Sequence, residues 1–143
     1  MRIKEISTRE EIGKTLAVFL QTREEISQED YVEKIFKMME RGYRMAAIFE
    51  EDIRIGQCFG FIGVCVIYKL QYGKVLEIED FMIDREKFCS GAEEILLRWA
   101  IEKAASLECV NIIGDLETKQ KELQKIFSQE KFILDGFVFR KSC

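Results

Sequence analysis

Histidine occurs at none of the 143 positions. Its absence removes Ser-His-Asp and Cys-His nucleophile chemistry, histidine metal triads and imidazole proton shuttling together. Acid–base work in this chain falls to carboxylates, tyrosines, lysines, cysteines or water. No apolar run approaches the roughly 18 residues of a membrane span, and the opening MRIKEISTREE is charged where a signal peptide needs an apolar core. A cytoplasmic protein with no membrane partner is the expectation. No CxxC spacing links the five cysteines, Cys58, Cys65, Cys89, Cys109 and Cys143. They read as reduced thiols serving mostly as small core hydrophobes, with no disulfide frame and no metal site. A basic stripe is also lacking: acids and bases are interspersed at a net charge of −4, which argues against nucleic acid as a partner.

What is present suits one compact domain over residues 1–143. The composition is 48% apolar and 34% charged, and a chain of this size buries roughly 68–70% of its unfolded surface. Ile12, Leu16, Phe19 and Leu20 recur at helical spacing behind Ser7 or Thr8 as N-cap candidates, predicting one helix with a single buried face. SQEDYVEKIFKMMERGY repeats the form, with Ser27 and Asp30 in capping-box spacing and Gly42 just past the end. Three β-rich runs follow between Arg44 and Ile83, punctuated by Glu50–Asp52 and Tyr72-Gly73-Lys74, and predict an antiparallel meander. After a helix from Ser90 to about Leu107, CVNIIGDL reads as a buried parallel strand reached by a right-handed crossover. A last helix carries Leu123, Ile126 and Phe127 inward, and Asp135-Gly136 signals a final hairpin. The predicted order is βααβββαβαβ, with room for one more strand.

Two stretches bear on chemistry. In Val75–Ile83, strict alternation would place Asp80 among Leu76, Ile78 and Met82, a burial that destabilises unless a bulge re-aims the carboxylate. Ser90-Gly91-Ala92-Glu93 has capping-box spacing, so the helix that follows could satisfy its own N-terminal donors. Such donors otherwise suit a phosphate group. Glu93 and Glu94 in its first turn oppose an anion there, while Arg85, Lys87, Lys121 and Lys125 could offset them.

Several of these residues stand in a pattern that resembles the GNAT family of acetyl-CoA-dependent N-acetyltransferases across essentially the whole chain. Gly60-Phe61 matches the family's third strand, Gly73-Lys74 its following turn, and Glu79-Asp80-Phe81 the EDF of polyamine-type members, locally most like the spermidine/spermine acetyltransferases. The resemblance implies an α/β (α+β) fold with a mixed sheet of about six to seven strands. In it the fourth and fifth strands are parallel and splayed, and about four helices flank the sheet. It implies direct transfer from acetyl-CoA to a small-molecule or peptide amine, with Glu79 as the base and Asp80 holding the cationic amine. The cofactor's arm would lie along Phe81, Met82 and Ile83.

The family's phosphate loop, R-G-x-G-x-G/A, fits this chain in two registers. One places its key residues on Phe88, Cys89, Gly91 and Glu93; the other, one residue shorter, on Lys87, Ser90 and Ala92. In the segment N-x-x-A-x-x-F-Y-x-x-x-G-F, ungapped counting from Phe132 puts the asparagine on Gln120, the alanine on Leu123, the acid tyrosine on Phe127 and the glycine on Lys131. Phe127 donates no proton; strand order would let Tyr68 or Tyr72 substitute, although both read more readily as packing or surface aromatics. The competing readings are a descendant of the fold that has lost catalysis and senses acyl-CoA or binds a protein, and an interaction module. In the latter an exposed strand edge would pair with another subunit, a homodimer included.

Overall fold

The computed structural model describes residues 1–21, 25–51, 56–88 and 90–143. Its order is β1 (Arg2–Ile6), α1 (Arg9–Gly13), α2 (Leu16–Phe19), α3 (Gln28–Glu40), β2 (Arg44–Phe49), β3 (Cys58–Lys69), β4 (Gly73–Ile83), α4 (Ala92–Ser106), β5 (Asn111–Gly114) and α5 (Lys121–Gln129). A single 3-10 turn at Arg85–Lys87 joins β4 to the loop before α4. The five strands form one sheet in chain order, antiparallel from β1 to β4, with β5 added parallel to β4. The resemblance anticipated six to seven strands. Among the described residues the hairpin expected at Asp135-Gly136 is not formed, and residues 132–143 carry no regular structure. No helix is long and apolar enough to cross a membrane among the described residues.

Local signals act where the sequence placed them. Thr8 caps α1 through a capping box with Glu11, and Ser27 Oγ accepts from Asp30 N–H at 3.1 Å at the head of α3. The first predicted helix is broken, however: Thr15 turns its hydroxyl back onto the Ile12 carbonyl at 2.7 Å and meets Tyr31 Oη at 2.6 Å, so α1 and α2 are separate short turns. Glu11 accepts from Lys4 Nζ and from the Ser7 and Thr8 amides. Although burial opposes the effect, those bonds hold its carboxyl near about 2.

Helices cover both faces. On one, α4 and α5 bury Leu96, Leu97, Ala100, Leu123 and Phe127 against Ile48, Ile62, Val64, Leu76, Ile78, Phe81 and Ile83. On the other, Ile12, Val18, Tyr31, Val32 and Ile35 close over Met45, Ala47, Phe49, Phe61 and Met82. β5 is parallel as expected but only half-buried, because it forms the sheet's edge. The cysteines depart further from expectation. Cys58 is buried, Cys65 and Cys109 are half-exposed and Cys143 is exposed, all with free thiols, and Cys89 lies outside the described residues.

Three helices end alike. In each, the second residue past the cap donates to a carbonyl on the last turn: Tyr43 N–H to Met38, Cys109 N–H to Ala104, and Phe132 N–H to Phe127. The residue before each donor must be left-handed. It is Gly42 after α3, but Glu108 (φ 58°) after α4 and Lys131 (φ 66°) after α5. A side chain there is strained by Cβ contacts that glycine lacks. Lys131→Gly is therefore expected to stabilise the fold by about 0.5–1 kcal/mol, net of the added freedom of the unfolded chain, as a shift of the urea midpoint at unchanged slope.

Candidate functional site

The site begins with a fault in the β3–β4 ladder. Gly63 pairs with Asp80, but the next residue, Val64, pairs with Ile78, leaving Glu79 as the extra residue of a bulge. The bulge resets the alternation. Leu76 and Ile78 before it, and Phe81 and Ile83 after it, face α4 and α5, while Met82 joins the opposite core. Asp80 is thereby taken off the face of Leu76 and Ile78, and its Oδ2 accepts from Tyr43 Oη at 2.7 Å. Burial, reinforced by the Asp80 charge, drives the Tyr43 hydroxyl well above the ordinary phenol range, so it stays a donor. Gly63 leaves the space for this: a Cβ there would fall within the Tyr43 hydroxyl.

Glu79 itself is exposed on the bulge, beside Glu77 and Asp80. Partial burial, then the two neighbouring carboxylates, raise its pKa from 4.5. Burial and the charges of Glu79 and Glu77 also raise the Cys65 thiol, which keeps it from serving as a thiolate nucleophile. The arrangement is a group of carboxylates with one member poised to take a proton, in a setting that attracts a cation.

The second feature is an opening. β4 and β5 pair from Val75 and Asn111 to Ile78 and Gly114, and there the ladder stops. β4 runs on from Glu79 to Ile83 with no strand on that side among the described residues. Phe127 stands at this end: its ring centroid is 5.9 Å from that of Phe81, and a Cβ on Gly114 would lie 3.0 Å from its Cε1. The Phe127 ring thus sits at the mouth of the gap, edge-on to Phe132 at 4.7 Å.

The other residues expected in the site fall around this opening. Phe81, Met82 and Ile83 are buried on the stretch of β4 that pairs with β3 and lies beyond its pairing with β5. The capping box expected at Ser90 does not form. The N-cap of α4 is Gly91 at φ 95°, which has no side chain to cap with, and Ser90 Oγ accepts from the first helical amide, Ala92 N–H, at 3.3 Å. The extra left-handed residue shifts the cap by one, out of the four-residue spacing a box needs. The helix N-terminus is consequently more open than its sequence suggests. Against an anion, Glu93 is buried in its first turn and Glu94 Oε2 is buried with no hydrogen-bond partner. Ala92 is fully buried and Phe88 packs against the α4 core. Cys89 lies outside the described residues. Lys87 does not answer the acidic turn, since its Nζ sits 4.6 Å over the Phe59 ring. Gln120 occupies the N-cap position of α5, but its Oε1 accepts from Glu117 N–H at 3.0 Å.

Tyr68 and Tyr72 are not at the cleft. They lie at the β3–β4 turn, and seven residues of strand at about 3.3 Å each put Tyr72 roughly 20 Å from Glu79. Tyr72 instead donates to Asp135. Tyr43 is the residue sequence reasoning missed. Its place just before β2 gave no periodic signal, and its link to Asp80 spans 37 positions.

Sheet order, bulge and truncated parallel ladder together define the GNAT fold. No protein-family model matches the chain, and no curated protein sequence is significantly similar to it. Solved structures are similar over nearly the full length. An acetyltransferase from Trypanosoma brucei superposes with a TM-score of 0.82 at 16% identity, covering 99% of both chains. A GNAT family acetyltransferase from Staphylococcus aureus gives 0.79 at 14%, covering 99% of this chain and 98% of that one. Glucosamine-6-phosphate N-acetyltransferase from Arabidopsis thaliana gives 0.79 at 14%, with coverages of 99% and 97%.

Folding raises the Glu79 pKa, so its ionised form is disfavoured in the native state. That penalty is absent below the unfolded value of 4.5 and is fully developed once the pH exceeds the raised native value. Glu79→Gln should leave stability unchanged near pH 4 and raise it at pH 7 by up to about 0.5 kcal/mol, as read by paired urea titrations.

Proposed function

We propose that the chain is an N-acetyltransferase that moves the acetyl group of acetyl-CoA directly to a cationic amine, of small-molecule or peptide origin. The observation that carries this reading is the coincidence of the bulge with the end of the β4–β5 ladder. The base candidate Glu79 and the stretch of β4 that pairs with β3 but has no β5 partner, Asp80–Ile83, meet at one point. An arm bearing amides suits such an edge, because its groups replace a missing strand. The N-terminus of α4, with glycine at its N-cap, would offer backbone donors for a phosphate.

Each residue then has a task. Phe81, Met82 and Ile83 would line the arm, with Phe88, Ser90, Gly91 and Ala92 around the phosphates and Cys89 in the same loop. Gln120 and Phe127 would flank the arm from α5. Acetyl-CoA supplies the activated acetyl group. Asp80, oriented by Tyr43, and Glu77 favour the ammonium form of the incoming amine, and Glu79 takes the proton that must leave before nitrogen can attack. The carboxylates of this cluster also fit a polyamine-type acceptor, in line with the Glu79-Asp80-Phe81 match. No hydroxyl stands at Phe127 to protonate the departing thiolate, so that proton comes from water; a thiolate needs less help than an amine would.

A second reading is favoured by the acidic first turn of α4 and the Phe127 ring at the gap: a protein of this fold that binds an acyl-CoA or a partner protein without turnover. Acetyl-CoA titration in a thermal-shift assay tests both. At 100 times its dissociation constant a ligand stabilises by about 2.7 kcal/mol, and no shift at saturating cofactor rejects transfer and acyl-CoA sensing alike. If binding is present, Glu79→Gln should retain it and lower turnover by about 10² to 10⁴-fold. Binding with no turnover on any amine tested in the native protein would select the second reading.

A further inference from the structure

The order of β4 continues one residue past its end. Asp84 follows Ile83 directly, its N–H still donating to the Phe59 carbonyl of β3 at 2.8 Å. Alternation after the bulge puts Asp84 on the side of Asp80 and Met82, the side that the N-terminal helices cover. There it is 6% exposed, and three N–H donors converge on its carboxylate. Oδ1 accepts from Glu86 N–H at 2.9 Å, capping the 3-10 turn Arg85–Lys87. Oδ2 accepts from Gln21 Nε2 at 3.2 Å and from Gln57 Nε2 at 3.4 Å. Cys58 faces the same cluster; burial, with the Asp84 charge adding to it, pushes its thiol up to about 12, so it stays uncharged.

Gln21 has a second bond. Its Oε1 accepts from Arg85 N–H at 3.0 Å, so one side chain holds two consecutive residues 63 and 64 positions away. These partners fix the orientation of the amide, because a carboxylate only accepts and a backbone N–H only donates. A primary amide of this length meets both demands; an ionised glutamate lacks the donor and a lysine lacks the acceptor. Gln21 is itself held by α2. Val18 of that helix is buried, and Thr15, its N-cap, is bonded to Tyr31 of α3 at 2.6 Å. The helix is therefore tied to α3 at its head and to the exit of β4 just past its end.

The exit matters because the loop that starts at Arg85 leads to Gly91, the N-cap of α4. Where the loop leaves the sheet decides where the first amides of α4 stand. We propose that Gln21 is a positioning residue for the phosphates of the acyl donor. From the face of the sheet opposite α4, it anchors the start of the loop and so holds the N–H groups at the head of α4 in place. It acts through Asp84 and Arg85 rather than by touching the phosphates. The inference rests on the reading of that helix N-terminus as the phosphate site of acetyl-CoA.

Two substitutions separate its bonds. Gln21→Leu removes both, whereas Gln21→Glu keeps the acceptor for Arg85 and sets a second carboxylate against Asp84. Such a pair retains one proton at a pH where either group alone would be ionised, and a protonated glutamic acid again offers one donor and one acceptor. Calorimetric titration with acetyl-CoA at about pH 8 should give a dissociation constant raised about tenfold in both variants, the scale of one hydrogen bond to a charged group. Near pH 5, Gln21→Glu should return to the native value measured at that pH and Gln21→Leu should not. In the absence of any ligand, amide exchange at Arg85 and Glu86 should quicken about tenfold in Gln21→Leu, with the circular dichroism of the fold retained. A native protein that binds no acetyl-CoA rejects the proposed function and this role with it. Native binding matched by both variants at about pH 8 overturns the positioning role alone. So does exchange at Arg85 that Gln21→Leu leaves unchanged, or a Gln21→Glu defect that acid does not repair.

Discussion

The hydrogen bond between Tyr43 and Asp80 governs the rest of the structure. A sheet strand alternates strictly, and without a fault Asp80 would be driven into the face where Leu76 and Ile78 meet α4. An extra residue at Glu79 prevents this, and the buried phenol holds the re-aimed carboxylate. The same fault presents Glu79 and lets the remainder of β4 continue beyond its parallel neighbour. Core stability, the exposure of Glu79 and the opening in the sheet therefore share one local cause.

Much of this was legible from residue types. Thr8 and Ser27 cap their helices, Gly42 ends one, and the mixed alternation in Val75–Ile83 signalled the bulge because no other geometry accommodates its carboxylates. What failed did so for physical reasons. Thr15 broke the first helix by bonding a distant tyrosine, which no local period reports. Ser90 lost its capping role to the left-handed Gly91. β5 was read as buried from its apolar run, but burial depends on which strands lie outside it. Phe137-Val138-Phe139 reads as strand and has no sheet in the single chain, since a strand forms only with a partner edge.

The segment around α5 carries its own check. Ungapped counting placed the family's glycine on Lys131, and Lys131 is one of two non-glycine residues with a left-handed backbone among those described. A left-handed backbone there is what a glycine would favour, and Phe127 itself lies beside Gly114 and Phe81. By that count the chain departs from the motif at Gln120, Leu123, Ile126, Phe127 and Lys131 and matches it at Phe132. The acidic first turn of α4 is a departure of the same kind: the helix points its donors correctly but surrounds them with charge of the wrong sign.

Gly63 and Tyr43 occupy a single volume, the ring of one standing where the β-carbon of the other would be. Neither position can vary by itself. A larger residue at 63 becomes tolerable only with a smaller one at 43, and that exchange would release Asp80 from the Tyr43 hydroxyl. Substitutions at the two positions should be strongly non-additive, so in descendants of this sequence they would change together or not at all.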